Sequence, residues 1–345
     1  MGMLSMALVL CACSTPGASS RNEEAVDEGT RADDEATSGL PQGFDLQGHR
    51  GARGLRPENT LPAFEKALDL RVDTLELDLH LSSDGKLVVW HDAFLYRSKC
   101  RVTQEASGRI ATTTETEKAK PARVRGASAE TLRTLQCAKN PDPERFPKQR
   151  PADGELAGGD YGIVTLPELF DFVARYAESD LKSAAQRANA RDVQFNVETK
   201  RHPEHPSYID DGFDGTTPGK LERRLVEVIQ QRGLGDRVTV QSFDRRSLWA
   251  IHRLAPNLRL AVLEAKRHEP LTAYAKRGAD VWSPAAGLVD ETSLAEARDA
   301  GLSVIPWTVN EPDEMRRLIE LGVDGLITDR PDLEQAETHS NEETR

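Results

Sequence analysis

The chain has 345 residues, 38% of them apolar, and a formal net charge of -12. That length holds one large domain with a buried core, or two small ones. Much of the acid lies in two terminal stretches, and no basic stripe or aromatic platform is present, which excludes nucleic acid as a partner; no protein partner is evident.

The chain begins "MGMLSMALVLCACSTPGASS". Its apolar run of about ten residues is too short to span a bilayer and suits the apolar region of an export signal. No Lys or Arg precedes that run. Leu10-Cys11-Ala12-Cys13 resembles a bacterial lipoprotein box. That resemblance implies that Cys13 is lipidated and becomes the first residue of an exported protein, anchored at a membrane in the periplasm or cell envelope. The alternative is an ordinary signal peptide with an incidental Cys. Residues 14–43 and 336–345 are acidic and nearly free of aromatics, the composition of disordered linkers. Two other cysteines, Cys100 and Cys137, form an even pair in an oxidising compartment, hence a disulfide candidate. Two separate thiols are the alternative, and proximity decides.

From residue 44 to about 335, strand-like runs alternate with amphipathic helices. The strands are expected at 45–49, 73–81, 193–199, 237–243, 258–264, 280–284, 302–309 and 324–329. Among the helices, "TLPAFEKALDL" starts at Thr60, with Asn59 or Thr60 expected to cap it and Glu58 expected to act structurally with them or, alternatively, to orient a site residue. "TLPELFDFVARYA" opens on a capping box, Thr165 with Glu168. "SLAEARDAG" has Ser293 with Glu296 and stops at Gly301; "NEPDEMRRLIELG" is expected to be capped by Asn310 and to stop at Gly322. Eight such units predict an α/β fold, a closed TIM (β/α)8 barrel. An open doubly wound sheet is the alternative, but "GHRGARG" lacks the G-x-G-x-x-G spacing of its phosphate turn.

"KLVVWHD" (86–92) breaks the rhythm. Only "SSDG" separates it from the second strand, so it must return antiparallel, as a hairpin after strand two. A long irregular insertion follows, about 93–164, which carries both candidate disulfide cysteines. It is expected to cover the barrel mouth.

Polar residues gather at the C-terminal strand ends. Strand one ends in His49-Arg50, strand two carries Glu76 and Asp78, and the hairpin delivers His91-Asp92. Glu198 and Lys200 follow on the next strand, then Gln241 and Ser242, then Trp307 and Asn310. Alternation with Leu75, Leu77, Leu79 and Leu81 turns Glu76 and Asp78 into the barrel. Buried carboxylates repel, so a cation must offset them. Glu76, Asp78 and Glu198 suit a hard divalent cation, Mg²⁺ or Ca²⁺. The alternative is a structural network neutralised by Arg50 and Lys200. His49 and His91 suit paired acid and base work. Arg50 offers a fork and Lys200 a point charge for a phosphate.

The words "HRGARGLRPENTLPAFEKAL", "ELDLHLSSDGKLVVWHD", "TLPELF", "NVETK", "VQSFD", "PWTVN" and "DGLITDRP" resemble, in order, those of the glycerophosphodiester phosphodiesterases, over residues 46 to 333. The resemblance implies metal-dependent hydrolysis of small glycerophosphodiesters to glycerol 3-phosphate and an alcohol. It implies His49 and His91 as the acid/base pair, Glu76, Asp78 and Glu198 as metal ligands, Arg50 and Lys200 as phosphate contacts, and Trp307 as a wall near the glycerol. Gln241 is expected among the substrate contacts. Two rival readings are a phospholipase D-like enzyme acting on lysophospholipids or sphingomyelin, and a non-catalytic phosphodiester-binding lipoprotein.

Overall fold

The computed structural model describes residues 40–101 and 122–333. Cys13, most of the acidic linker, the middle of the insertion and the 336–345 tail lie outside the described residues. The strands are β1 (Asp45–Gly48), β2 (Thr74–Leu81), β3 (Leu87–Val89), β4 (Gln194–Thr199), β5 (Val238–Ser242), β6 (Arg259–Glu264), β7 (Val281–Pro284), β8 (Ser303–Val304) and β9 (Gly325–Thr328). All but β3 are parallel, in the order β8-β7-β6-β5-β4-β2-β1-β9. Between β8 and β9 the ring is drawn together by backbone bonds. Asp324 N–H donates to Val304 O and Ile327 N–H to Pro306 O, both at 2.9 Å, and Val309 N–H donates to Ile327 O at 3.0 Å. This is the expected TIM barrel. Its helices are α1 (Leu61–Asp69), α3 (Leu166–Ala177), α4 (Ala184–Asp192), α5 (Lys220–Arg232), α6 (Arg245–Leu254), α7 (Leu271–Ala275), α8 (Glu291–Asp299) and α9 (Pro312–Leu321), with a short α2 (Ala129–Arg133) in the insertion.

The two-residue period of β2 decides which groups face the cavity. Leu75, Leu77, Leu79 and Leu81 are fully buried in the main core with Phe64, Phe170 and Phe195, beneath the helices. Glu76, Asp78 and His80 therefore turn inward, where a smaller apolar cluster of Ala261, Val281, Ile305 and Ile327 fills part of the barrel. β3 runs antiparallel to β2, pairing Val89 with Leu79, so the expected hairpin delivers His91 to the C-terminal mouth.

Four local expectations change. The eighth barrel strand is expected over 302–309, but its ladder stops at Val304; Pro306 has no N–H to donate, and the chain continues through a single bridge, Ala285 to Trp307. α8 begins earlier than predicted, capped by Asp290 with Ser293 as its reciprocal partner. Glu296 instead accepts from Leu271 N–H at 3.0 Å. Asn310 does not cap α9, because its side chain is drawn to Asp329. Thr60 sits at the α1 N-cap without a side-chain cap bond, and its hydroxyl donates to Pro57 O at 2.6 Å. The capping box at Thr165 forms as expected, as does the left-handed stop at Gly322.

The insertion is more than a loop. Val124, Leu132, Leu135 and Ile163 pack with Val88 and Trp90 of the hairpin into a separate small core, which also buries Cys100 and Cys137. Those two cysteines are bonded, 37 residues apart in sequence. A cross-link closing a loop of this length is worth about 4 kcal/mol in the chain-entropy account. Replacing both cysteines by Ser should therefore lower the urea midpoint by the equivalent of roughly 2–4 kcal/mol, with dithiothreitol reproducing the loss in the wild type. Equal midpoints would show that the bridge does not stabilise the fold.

Candidate active site

The sharp turn after β1 starts the site. Arg50 (φ 52°) and Gly51 (φ 84°) both occupy the left-handed region. At Gly51 a Cβ would stand 2.6 Å from the Ala63 carbonyl carbon of α1, so only glycine fits. The turn directs Arg50 N–H at the Glu76 carboxylate, 2.8 Å away. Register does the rest: Asp78 lies directly beside Glu198 across β2 and β4, and Glu198 beside Gln241 across β4 and β5. Glu76, Asp78 and Glu198 each present an oxygen within 4.8 Å of the others, and all three are buried. Gln241 Nε2 donates to Glu76 at 2.8 Å, Asn59 Nδ2 to Asp78 at 2.8 Å, and Lys200 Nζ to Glu198 at 2.7 Å. Asp78 Oδ1 is buried with no hydrogen-bond partner.

Two histidines face the same cavity of about 380 Å³, each with a carboxylate behind it. His49 Nδ1 meets Asp329 Oδ1 at 2.7 Å, and His91 Nδ1 meets Asp92 Oδ1 at 3.0 Å. Each carboxylate accepts a hydrogen bond from Nδ1–H, which leaves the Nε2 lone pair toward the cavity. Asp329 is itself fixed, by a fork from Arg53 at 2.7 and 2.8 Å and by Asn310 Nδ2 at 2.8 Å. Lys99, from the insertion, bridges Asp92 and Glu58, and Glu58 also accepts from Arg50 at 2.8 Å. Trp307 lines one wall, with its indole N–H on Ser283 O at 2.9 Å and Phe243 against it edge-on at 5.3 Å. Asp142, Arg145 and Phe146 of the insertion reach the rim.

Burial, reinforced by the charge of Asp78, raises Glu76 well above the usual carboxylate range. Burial likewise pushes Glu198 up to about 7, with Lys200 pulling the other way. At Asp78 burial is outweighed by Arg50 and Lys200, which hold it low. Burial and the charge of Arg53 push His49 down to about 4, against Asp329, so it is neutral near pH 7. His91 is also lowered, by burial and then by Lys200 and Arg50.

A count of charge tests the fit of a divalent cation. Six carboxylates (Glu58, Glu76, Asp78, Asp92, Glu198 and Asp329) meet four cations (Arg50, Arg53, Lys99 and Lys200) in one connected network. With all six ionised and both histidines neutral, two negative charges would be in excess, and the raised Glu76 and Glu198 are the groups that take up protons when no cation offsets them. The three clustered acids, one carrying a buried oxygen that accepts no hydrogen bond and has Lys200 Nζ 3.6 Å away, fit a hard cation.

The structure thus brings His49, Arg50, Glu76, His91, Asp92, Glu198, Lys200, Gln241 and Trp307 to one cavity; Asp78 is buried beside it under Asn59, Ser242 bonds back to Thr199, and Asn310 holds Asp329. Gln241 braces Glu76 there. Sequence reasoning missed Asp329, Arg53, Asn59 and Lys99. Asp329 had a visible signal, an acid at the end of the last strand in "DGLITDRP". Lys99 had none, since its reach depends on the path of the insertion. Asn59, expected to cap the helix, belongs to the site instead, and Glu58 takes the alternative role of holding a site residue, Arg50.

An inward cluster of acids and cations at the C-terminal face of a TIM barrel suits a phosphoric diester hydrolase, the class to which this chain's relatives belong. The glycerophosphoryl diester phosphodiesterase family matches residues 49–333. A glycerophosphodiester phosphodiesterase of Bacillus altitudinis is 30% identical over 289 residues, 82% of this chain and 94% of that protein. A second, from Bacillus subtilis (strain 168), is 28% identical over 295 residues, 83% of each chain. The crystal structure of a putative glycerophosphoryl diester phosphodiesterase from Silicibacter pomeroyi DSS-3 superposes with a TM-score of 0.68 at 27% identity, covering 87% of this chain and 94% of that one. The chain belongs to the glycerophosphoryl diester phosphodiesterase family.

Asp329→Asn should lower kcat by up to roughly 10⁴-fold, the cost of replacing the carboxylate behind a working histidine by its amide, which favours the wrong tautomer. KM should move less, because Asp329 lies behind His49, away from the cavity. An unchanged kcat would separate the pair from catalysis.

Proposed function

We propose that this chain hydrolyses glycerophosphodiesters to glycerol 3-phosphate and an alcohol, using a divalent cation held by Glu76, Asp78 and Glu198. The observation that carries this reading is the buried cluster of three carboxylates, two of them raised for want of an offsetting cation, between two histidines each held by its own acid. A bound Mg²⁺ or Ca²⁺ there supplies Lewis-acid polarisation of a phosphoryl oxygen and neutralises charge. Arg50 and Lys200 attract the phosphate, and Trp307 walls the glycerol side. His49, neutral and presenting Nε2, removes a proton from the attacking oxygen, either water, which gives glycerol 3-phosphate directly, or the neighbouring substrate hydroxyl, which gives a cyclic phosphate that water then opens to glycerol 3-phosphate. His91 protonates the departing alcohol. The negative phosphodiester offsets Lys200 and Arg50, the charges that lower His91, and so raises its affinity for a proton.

The test is release of glycerol 3-phosphate from a panel of glycerophosphodiesters, with and without EDTA. Release that EDTA abolishes and Mg²⁺ or Ca²⁺ restores is the expected result. Binding without release would overturn the enzyme reading, and faster turnover of lysophosphatidylcholine than of glycerophosphocholine would replace the substrate class. The export signal and lipid anchor at Cys13 belong to the same proposal, supported by the Leu-Cys-Ala-Cys run and by a disulfide in the insertion. Cys13→Ser should move the protein from the membrane fraction to the soluble one.

A further inference from the structure

Outside the barrel cluster, a second group of metal-type donors follows β4. The chain runs from Thr199 into "KRHPEHPSY", residues 200–208. His202, Glu204 and His205 are solvent-exposed, and each offers a donor atom within 4.8 Å of the other two. Among the described residues, Glu204 has no ion-pair partner.

The turn is set before any ion arrives. Pro203 and Pro206 fix φ at two of its positions. His205 N–H donates to His202 O, and Tyr208 N–H to His205 O, both at 3.0 Å. The two imidazole centroids stand 4.6 Å apart, and His205 stacks on Tyr208 at 4.9 Å with 23° between the planes. Tyr208 in turn meets Phe94 of the insertion edge-on at 5.6 Å. Arg123 and Arg125, also of the insertion, donate to the carbonyls of Ser207 and Ile209 at 3.4 and 3.0 Å.

The donor chemistry differs from that of the barrel. Three carboxylates select hard cations, whereas two imidazoles with one carboxylate select zinc and its neighbours. Two His and one Glu are a known three-ligand set for Zn²⁺, with water in the fourth position. We propose that His202, Glu204 and His205 form a second metal site, for a divalent transition-metal ion of the Zn²⁺ type. One contact opposes it: His202 Nδ1 accepts the Glu204 N–H at 3.2 Å, and ligation gives up that bond. The amide is exposed, so water replaces the partner. A bound ion would brace the turn that leaves β4, since all three ligands lie within it.

The test uses full-length, tag-free protein and Zn²⁺ in excess Mg²⁺, with bound zinc counted after equilibrium dialysis and melting followed in parallel. Wild type should hold one more Zn²⁺ per chain than His202→Ala/His205→Ala, and Zn²⁺ should raise the melting temperature of wild type but not of that variant. A Glu76→Gln/Glu198→Gln variant should keep the extra zinc. Equal zinc in wild type and the histidine variant overturns the proposal, as does non-saturable binding, or zinc lost only when the barrel acids are changed. All three residues are exposed, so circular dichroism is expected to show the histidine variant folded.

Discussion

His49→Ala and His91→Ala are each expected to lower kcat by roughly 10²–10⁴, the usual worth of a positioned proton donor or acceptor. His49 is neutral because burial and Arg53 push it to about 4, and Asp329 keeps its Nδ1 occupied. That is the state a base needs at neutral pH. His91 is the more open of the two, its side chain 28% exposed against 12%, where a departing alcohol can leave. The two variants should be told apart by leaving group. A substrate with an activated alcohol, such as a nitrophenyl ester, needs no proton on departure, so it should restore much of the rate to His91→Ala and little to His49→Ala. Near-wild-type turnover in both single variants would remove the histidines from the mechanism. The double variant should cost little more than the worse single one, since groups that act as a unit are not additive.

Glu76→Gln and Glu198→Gln should abolish cation-dependent turnover at ordinary Mg²⁺ or Ca²⁺. Each should weaken apparent cation affinity by more than about 100-fold, beyond the 10–100-fold typical of groups behind the ligands. Stability should respond in the opposite sense. Glu198 has a folded-state pKa of about 7 against an ordinary 4.5, so between those values the folded chain holds a proton that the unfolded chain has lost. Under chelation, this group makes stability fall as pH rises from about 4.5 to about 7. Glu198→Gln should flatten that fall, and added Mg²⁺ or Ca²⁺ should remove it from the wild type. Melting curves across that range decide it: a wild type indifferent to chelator would mean that Arg50 and Lys200 alone balance the acids.

The barrel was legible because parallel strands and their covering helices leave periods in the residues themselves. The alternation in "TLELDLHL" set both the strand and the inward acids. The hairpin was legible from four residues, because "SSDG" is too short for a parallel crossover. Caps were less legible. Asn310 and Asn59 have the right chemistry for helix starts, yet a buried carboxylate claims each of them, Asp329 and Asp78. A buried acid needs its donor more than a helix end that water can reach. The insertion was illegible in detail, since nothing in its pattern announced a small core with Trp90 or the reach of Lys99.

By itself, then, the sequence determined the barrel, the facing of Glu76 and Asp78, and the delivery of both histidines to one end, because strand period and connection length are local properties. Only the tertiary structure decided which carboxylate stands behind His49, how Glu58 and Lys99 join the site, and where the cysteines meet. Those pairings join residues up to 280 positions apart, and it is the three-dimensional closure of the ring that brings Asp329 beside His49.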